Sequence, residues 1–214
     1  MYKLWDVKTV FPALEEIKEI SGIEHVEVHT AIPGEYQFSL GAAIIKHKDK
    51  WYSSWGNSFR TENDDNTVLA QKTSSDGGKS WEGYEIISCK DASMGRSHGV
   101  YFEYHGELYL FCPKAGFGIA SLSDYPDLKT EGYRLLPDGS WEYMGIVIDD
   151  YFWPMCEPIV LDSGTIIMAG LESEKKNGAI ALCKNGDLTQ WEVKMIPNPK
   201  GYSFWGRNHC LKKG

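Results

Sequence analysis

The sequence predicts an all-β fold in which a unit of four short strands recurs along the chain. From residue 23 onward, short apolar segments alternate with Gly, Asp and Asn, as is typical of strands joined by turns. Three segments each hold an apolar strand, a polar turn and a second apolar strand: "SLGAAIIKHKDKWYSSWG", "SHGVYFEYHGELYLFCPKAG" and "CEPIVLDSGTIIMAG". When these segments are aligned, Gly41, Gly99 and Pro158 coincide, at spacings of 58 (41 to 99) and 59 (99 to 158) residues.

Two further strands complete each unit. The predicted third strands are "TVLAQKTS", "FGIASLS" and "GAIALCK", and the fourth strands follow Trp81, Trp141 and Trp191. A four-stranded unit that recurs every 50 to 60 residues or so indicates a β-propeller blade. We therefore predict blades over residues 36–92, 93–150 and 151–200 and the start of another blade at 201–214. Residues 1–35 are expected to hold a strand and a short helix, the helix within 11–20.

Composition limits the possible partners and the cellular location. With 214 residues, of which 42% are hydrophobic, the chain can form one large β domain or two small ones. A net charge of −8 argues against a nucleic-acid partner, and no segment is suited to span a membrane. Five widely spaced cysteines predict reduced thiols in a cytoplasmic protein. A bacterial origin is also expected. A secreted or periplasmic location would apply if a leader peptide has been removed. No cofactor is expected.

The segment "SSDGGKSW" has the pattern S-x-D-x-G-x-x-W, formed by Ser74, Asp76, Gly78 and Trp81. As turn chemistry, Asp-Gly-Gly supplies positions of positive φ, and the Ser and Asp side chains can bond nearby backbone N–H groups. The pattern lies between the third and fourth strands of the first unit, and "KNGDLTQW" is a degenerate copy in the third unit. It resembles the Asp box of sialidases and other BNR-repeat proteins. The resemblance covers most of residues 36–214 and implies a sialidase-like β-propeller.

A second segment carries the same resemblance. "CEPIVLDSGTIIMAG" is similar to the sialidase segment in which a glutamate begins an inner strand, and this implies that Glu157 assists a tyrosine nucleophile. Sialidases bind the substrate carboxylate with three arginines. Two of these would fall in "YQFSLG" and after "IIMAG", where this chain has no arginine.

Candidate site residues follow from the alignment of the units. Leu40, His98, Glu157 and His209 occupy equivalent positions on the innermost strands, which should converge on one pocket. "GRSHG" and "GRNHC" repeat a Gly-Arg-x-His pattern, with Arg96 and Arg207 two residues before the histidines. Residues two apart on a strand face the same side. Each arginine is therefore expected to face the same space as its histidine.

These residue types suit an anionic sugar. Arg96 and Arg207 would bind a carboxylate or sulfate through paired N–H donors. The predicted catalytic groups, which could exchange protons with a substrate, are His98, Glu157, His209 and Asp150. The predicted stacking residues are Tyr151, Trp153 and Trp205. In the alternative interpretation, the arginines and histidines pair with acids between blades and only stabilise the ring. His98, His209 and Glu157 could also form a metal ligand set, but no H-x-H or HExxH spacing supports it, and no metal is predicted.

The predicted function is that of a carbohydrate-active propeller, a glycoside hydrolase that acts next to an acidic sugar. A polysaccharide lyase on uronate glycans and a non-catalytic glycan-binding or scaffold propeller are the alternatives. Since "WGRNHCLKKG" would open a fourth unit, the chain is expected to be part of a propeller. The remainder of the ring or a second copy would then be its partner, because an isolated partial ring leaves strand edges unpaired.

Overall fold

A computed structural model describes residues 8, 10, 12–61, 64, 66–88, 95–116, 125 and 127–198. Within these ranges the only helical element is a 3-10 turn, Leu14–Glu16. The short helix expected within residues 11–20 is limited to this turn. Ile17 and Ile20, which would form its apolar face, are 59% and 77% exposed, and a short helix is marginal without packing of such a face. Among the described residues, no helix has the length and hydropathy needed to cross a bilayer.

The strands form three antiparallel sheets that follow one another along the chain. The first sheet contains β1 (Phe38–His47), β2 (Lys50–Ser58), β3 (Val68–Ser74) and β4 (Glu82–Ile86). The second contains β5 (Gly95–Arg96), β6 (Val100–Tyr104), β7 (Glu107–Ala115), β8 (Lys129–Leu135) and β9 (Trp141–Ile148). The third contains β10 (Phe152–Pro154), β11 (Ile159–Val160), β12 (Ile166–Glu172), β13 (Asn177–Cys183) and β14 (Glu192–Met195).

Strand order within each sheet follows the sequence. The first sheet has the order β1-β2-β3-β4, and the other two repeat it with their first strand in two pieces. The third strand of the second sheet differs from the prediction: it is β8, whereas "FGIASLS" lies outside the described residues. Hydrophobic pattern alone favoured the more apolar segment. β8 instead carries Glu131, which is fully buried. Hydrogen bonds from Arg96 stabilise its charge.

The first strand of every sheet is interrupted at the same place. In β1 the pairing with β2 shifts between Leu40 and Ala43. In the other two sheets a gap separates β5 from β6 and β10 from β11, although both pieces pair with the same neighbouring strand. Gly41, Gly99 and Pro158 all lie at these interruptions. Such irregularities redirect side chains, so the residues around them need not follow strict strand alternation.

Apolar side chains pack between neighbouring sheets. One cluster joins Tyr52 and Leu69 of the first sheet to Tyr101, Leu108 and Leu110 of the second. A larger cluster joins the second and third sheets. Burying each leucine contributes about 1.5–3 kcal/mol, and the three leucines in the first cluster have no exposed surface. The sheets therefore stack face to face through continuous apolar contacts.

Hydrogen bonds close the turn between β3 and β4. The Ser74 hydroxyl accepts the Gly78 N–H at 2.9 Å and donates to the Asp76 carboxylate at 2.8 Å. That carboxylate also accepts the N–H groups of Lys79 and Ser80 and the Ser80 hydroxyl. The hydrogen bonds from Ser80 and Ser74 hold the pKa of Asp76 well below its usual value. The Trp81 indole closes the turn by donating to the Gly78 carbonyl at 3.0 Å.

A similar turn joins β13 and β14. There the Asp187 carboxylate accepts the Thr189 N–H at 3.0 Å and the Thr189 hydroxyl at 2.7 Å. The Trp191 indole donates to the carbonyl three residues before it, that of Leu188, at 2.7 Å. The degenerate segment "KNGDLTQW" thus keeps both the carboxylate and the indole contact of the first turn.

Replacing Ser74 with Ala should lower the free energy of unfolding by about 1–2 kcal/mol, because the partly buried Gly78 N–H loses its acceptor and the Asp76 carboxylate loses one of its donors. Urea unfolding of the full chain measures the change. Ser75→Ala, at the exposed neighbouring position, should stay within about 0.5 kcal/mol of the parent. Equal losses in the two variants would show that the Ser74 hydroxyl does not stabilise the turn.

Candidate functional site

The first strands of the three sheets meet around one open cavity of about 380 Å³. Its wall is formed by Ala42, Ala43, Ile44 and Ile45 of the first sheet, His98, Gly99, Val100 and Tyr101 of the second, and Met155, Cys156, Glu157 and Ile159 of the third. The predicted proximity of His98 and Glu157 is found, while their catalytic role stays a prediction. Leu40 does not line the cavity, because the shift in β1 brings the residues after it to the wall.

Glu157 is the acidic residue of this wall. Its side chain is exposed to the cavity and forms no hydrogen bond or ion pair with the residues that the structure describes. Partial burial raises the pKa of its carboxyl group above the usual value for glutamate. Among the described lining residues none is Lys or Arg, so no adjacent cation opposes this effect. Glu157 therefore retains its proton to a higher pH than a solvated glutamate does.

His98 is half-buried and held on several sides. The Ser97 hydroxyl lies 3.3 Å from its Nδ1 atom, and the Trp153 ring centroid lies 5.9 Å from the imidazole centroid. The opposite side is the backbone of Gly41, where a Cβ atom would come within 2.4 Å of the imidazole Cγ atom. Gly41 has φ of +63°, in the left-handed region that favours glycine. The interruption in β1 thus makes room for His98.

Arg96 is buried rather than open to the cavity. Its Nε and Nη2 atoms donate to the two carboxylate oxygens of Glu131 at 3.1 and 3.0 Å, and both side chains are at most 2% exposed. Tyr133 donates to the same carboxylate at 2.7 Å, and the Lys114 ammonium lies 3.6 Å away. The prediction that Arg96 reaches the solvent of the pocket is wrong. Its guanidinium is buried and pairs with Glu131, as a buried guanidinium requires.

Burial and pairing act in opposite directions on this pair. Burial would lower the pKa of Arg96, but its hydrogen bonds and charge attraction with Glu131 outweigh burial and raise the pKa. Burial would raise the pKa of Glu131, but the hydrogen bonds from Arg96 and Tyr133 outweigh it, so this pKa is lowered. Both groups are therefore held in their charged forms. The Arg96 N–H also donates to the Thr67 carbonyl at 2.8 Å, which ties the second sheet to the first.

Two of the aromatic residues expected to stack on a sugar, Tyr151 and Trp153, do not line the cavity. Trp153 is only 5% exposed and packs against Ala115, Leu128 and Leu171, so it offers no open ring face. The strand pairing of β10 with β12 directs it between the second and third sheets. Tyr151 is half-buried beside the same cluster. Asp150 is exposed and does not line the cavity, which leaves it outside the group formed by His98 and Glu157.

Three predicted site residues, Trp205, Arg207 and His209, lie outside the described residues. Within the described ranges, no group of three His, Cys, Asp or Glu side chains is arranged to hold a metal ion. The partner of Arg96, Glu131, was not identified from the sequence. Its signal was weak: a single glutamate in "KTEGYRL", a segment that was not recognised as a strand.

Replacing Arg96 with Met should lower the free energy of unfolding by about 3–5 kcal/mol, because Glu131 would remain charged and buried without its main partner. The double variant Arg96→Met/Glu131→Leu should recover part of that loss. Thermal and urea unfolding measure both effects. As a control, Arg134→Met removes a solvent-exposed ion pair with Glu142 on the same sheet and should change stability little. A small loss for Arg96→Met would contradict a stabilising role of the buried pair.

Gly41→Ala should displace the His98 ring, because the new methyl group would overlap it. Gly139 provides the control, since its φ is +89° and nothing lies within 4 Å of a Cβ atom there. Gly139→Ala should cost about 1 kcal/mol of backbone strain, and Gly41→Ala should cost more. The His98 imidazole resonances in NMR spectra should shift only in the Gly41 variant. Unchanged resonances would show that Gly41 does not position His98.

Comparisons with known proteins bear on the fold. No family model matches the sequence, and no curated protein matches it. Among solved structures, the Hadza microbial sialidase Hz136 matches 71% of this chain and 36% of its own length, with a TM-score of 0.56 and 13% identity. A mutant Trypanosoma rangeli sialidase with trans-sialidase activity matches 78% of this chain and 33% of its own, with a TM-score of 0.56 and 12% identity. A Dyadobacter fermentans protein of unknown function matches 81% and 58%, with a TM-score of 0.59 and 14% identity.

The chain thus spans about a third of the length of each of these sialidases. At 12 to 14% identity the likeness concerns architecture. The three successive antiparallel sheets of this chain are the part that this likeness covers. The described part of the chain has the fold of a sialidase-like β-propeller.

Proposed function

We propose that the chain belongs to a carbohydrate-active propeller that hydrolyses a glycosidic bond, with its active site at the cavity between the three first strands. The observation that carries this proposal is the position of Glu157, a carboxyl group with a raised pKa that faces this cavity. Solved structures with the same fold include sialidases and a family 117 glycoside hydrolase from Zobellia galactanivorans. Their activities make a glycan the favoured substrate class.

Hydrolysis of a glycosidic bond requires an acid that protonates the departing oxygen and a second group that acts at the anomeric carbon. Glu157 suits the first role, because partial burial raises its pKa and so extends the pH range over which the carboxyl group keeps its proton. His98 lines the same cavity and is held in place by Ser97 and Gly41. Its imidazole could accept a proton from water or from a nucleophile.

We propose an acidic sugar as the substrate. The support is the repeated Gly-Arg-x-His pattern, whose second copy contains Arg207 and His209. Because Glu131 already binds Arg96, the carboxylate of the sugar would be bound through Arg207. In this proposal the two copies of the pattern have different roles: Arg96 fixes β5, which leads into the segment that carries His98, and Arg207 contacts the substrate.

A non-catalytic glycan-binding propeller is a second candidate. Glu157 is the only carboxylate among the described residues that line the cavity, whereas hydrolysis commonly uses two carboxyl groups. The apolar remainder of the wall would suit binding without turnover. Retained glycan binding together with no product would favour this candidate.

Turnover should depend on Glu157. The full chain is incubated with 4-methylumbelliferyl glycosides of sialic, glucuronic and neutral sugars and with uronate polymers, and fluorescence, reducing ends and unsaturated products are measured. Glu157→Gln should lower kcat by about a hundredfold or more on the glycoside that is cleaved. The control Glu174→Gln, at an exposed turn of the same sheet, should leave kcat unchanged.

The pH profile gives a separate test of the acid role. Because burial raises the pKa of Glu157, activity should persist to a higher pH than a solvated glutamate would allow, and should fall as this group loses its proton.

Unsaturated products would instead indicate a lyase. Hydrolysis that is unaffected by Glu157→Gln would place the active site elsewhere.

A further inference from the structure

A second cavity lies between the N-terminal segment 27–36 and the first sheet. It has a volume of about 360 Å³ and shares no residue with the central cavity. Its sheet wall includes Asn57, Lys72 and Tyr84. Tyr52 and Leu69 pack on the second sheet. Asn57 is an odd number of residues from Tyr52 along β2, and Lys72 is an odd number of residues from Leu69 along β3. Strand alternation therefore puts this second cavity on the opposite face of the first sheet.

The aromatic rings at this cavity are held in fixed positions. The rings of His29, Trp55 and Tyr84 contact one another: His29 stacks on Trp55 at 5.0 Å between centroids and on Tyr84 at 5.3 Å, with interplanar angles of 26° and 21°, and Trp55 lies 6.3 Å from Tyr84. The Asn57 side chain is fully buried and donates to the Tyr84 hydroxyl at 3.2 Å. Tyr84 nevertheless keeps 41% of its surface exposed. An ordered ring with an open face needs little rearrangement to bind a ligand.

Charged groups surround these rings without binding to one another. Glu27, Glu35 and Lys72 line the cavity, and none of their side chains forms a hydrogen bond or ion pair with another residue in the described ranges. Burial, followed by the charge of Lys72, lowers the pKa of His29, which favours the neutral imidazole. Two carboxylates against one ammonium disfavour an anionic ligand. The ammonium offsets one of the two carboxylates, and this mixture of acceptors and a donor suits the hydroxyl groups of a neutral polar ligand, which both donate and accept.

We propose that this second cavity binds a neutral sugar residue. Tyr84 and Tyr36, which stacks on Phe59 at 4.4 Å, offer aromatic surface to the apolar face of a pyranose ring. Glu27 and Glu35 accept hydrogen bonds from sugar hydroxyls, and Lys72 donates to a hydroxyl oxygen. The volume lies within the range usual for small-ligand sites. The proposal stands on this chemistry alone and does not depend on catalysis at the central cavity.

Isothermal titration of the full chain tests this assignment with three probes: methyl β-D-glucopyranoside, methyl β-D-galactopyranoside and methyl α-D-mannopyranoside. At least one should bind, with a Kd in the millimolar range, roughly −4 kcal/mol. Tyr84→Ala should weaken that binding about tenfold or more, because the exposed ring is lost. Tyr84→Phe keeps the ring and should stay within about threefold of the parent.

Glu35→Gln, at an exposed position of the N-terminal segment, is a second variant that should not disturb the sheet, and it should weaken binding severalfold. The control is Glu174→Gln, which should not alter binding of the glycoside. The proposal is overturned if none of the three glycosides binds, or if Tyr84→Ala and Glu35→Gln both bind as the parent does. It is also overturned if only Glu157→Gln weakens binding, or if tetramethylammonium chloride binds in place of the glycosides. Turnover at the central cavity is measured separately, so its absence leaves this test intact.

Discussion

The buried ion pair between Arg96 and Glu131 fixes the start of the second sheet, next to the segment that brings His98 to the central cavity. It joins β5, at the inner edge of the second sheet, to β8, two strands away. The backbone N–H of Arg96 also donates to the carbonyl of Thr67, the residue just before β3. Two charges sealed from water are tolerated only while their hydrogen bonds are complete. Arg96 therefore cannot leave Glu131 without a large cost in free energy, and this fixes the start of the segment that carries His98 two residues later.

Much of this architecture could be predicted from the sequence because it depends on repeated local patterns. The alignment of Gly41, Gly99 and Pro158 predicted which segments form the first strand of each sheet, and the same alignment predicted that His98 and Glu157 lie close together. Alternation along a strand shows which residues share a side. It does not show whether a neighbouring sheet covers that side, and for this reason the burial of Arg96 and Trp153 was not predicted.

Other differences have the same physical origin. The third strand of the second sheet was assigned to an apolar segment, whereas the observed strand contains a buried glutamate that is stable only with a distant arginine. A long-range partner leaves no periodic signal in its own strand. In the same way, the stacking of His29 on both Trp55 and Tyr84 depends on how the N-terminal segment crosses the first sheet. No spacing within one segment predicts such a crossing.

The turn that connects β3 to β4 has a kinetic consequence. All of its side-chain hydrogen bonds join residues between Ser74 and Trp81, so forming it closes only a very short loop. Loops of this size close within about 10–100 ns, and hairpins form within about 1–10 μs. The pairing of Arg96 with Glu131 spans 35 residues and must overcome a larger entropy of closure. The outer hairpin of the first sheet can thus form early in folding, and the cavity can be completed only after the distant strands have met.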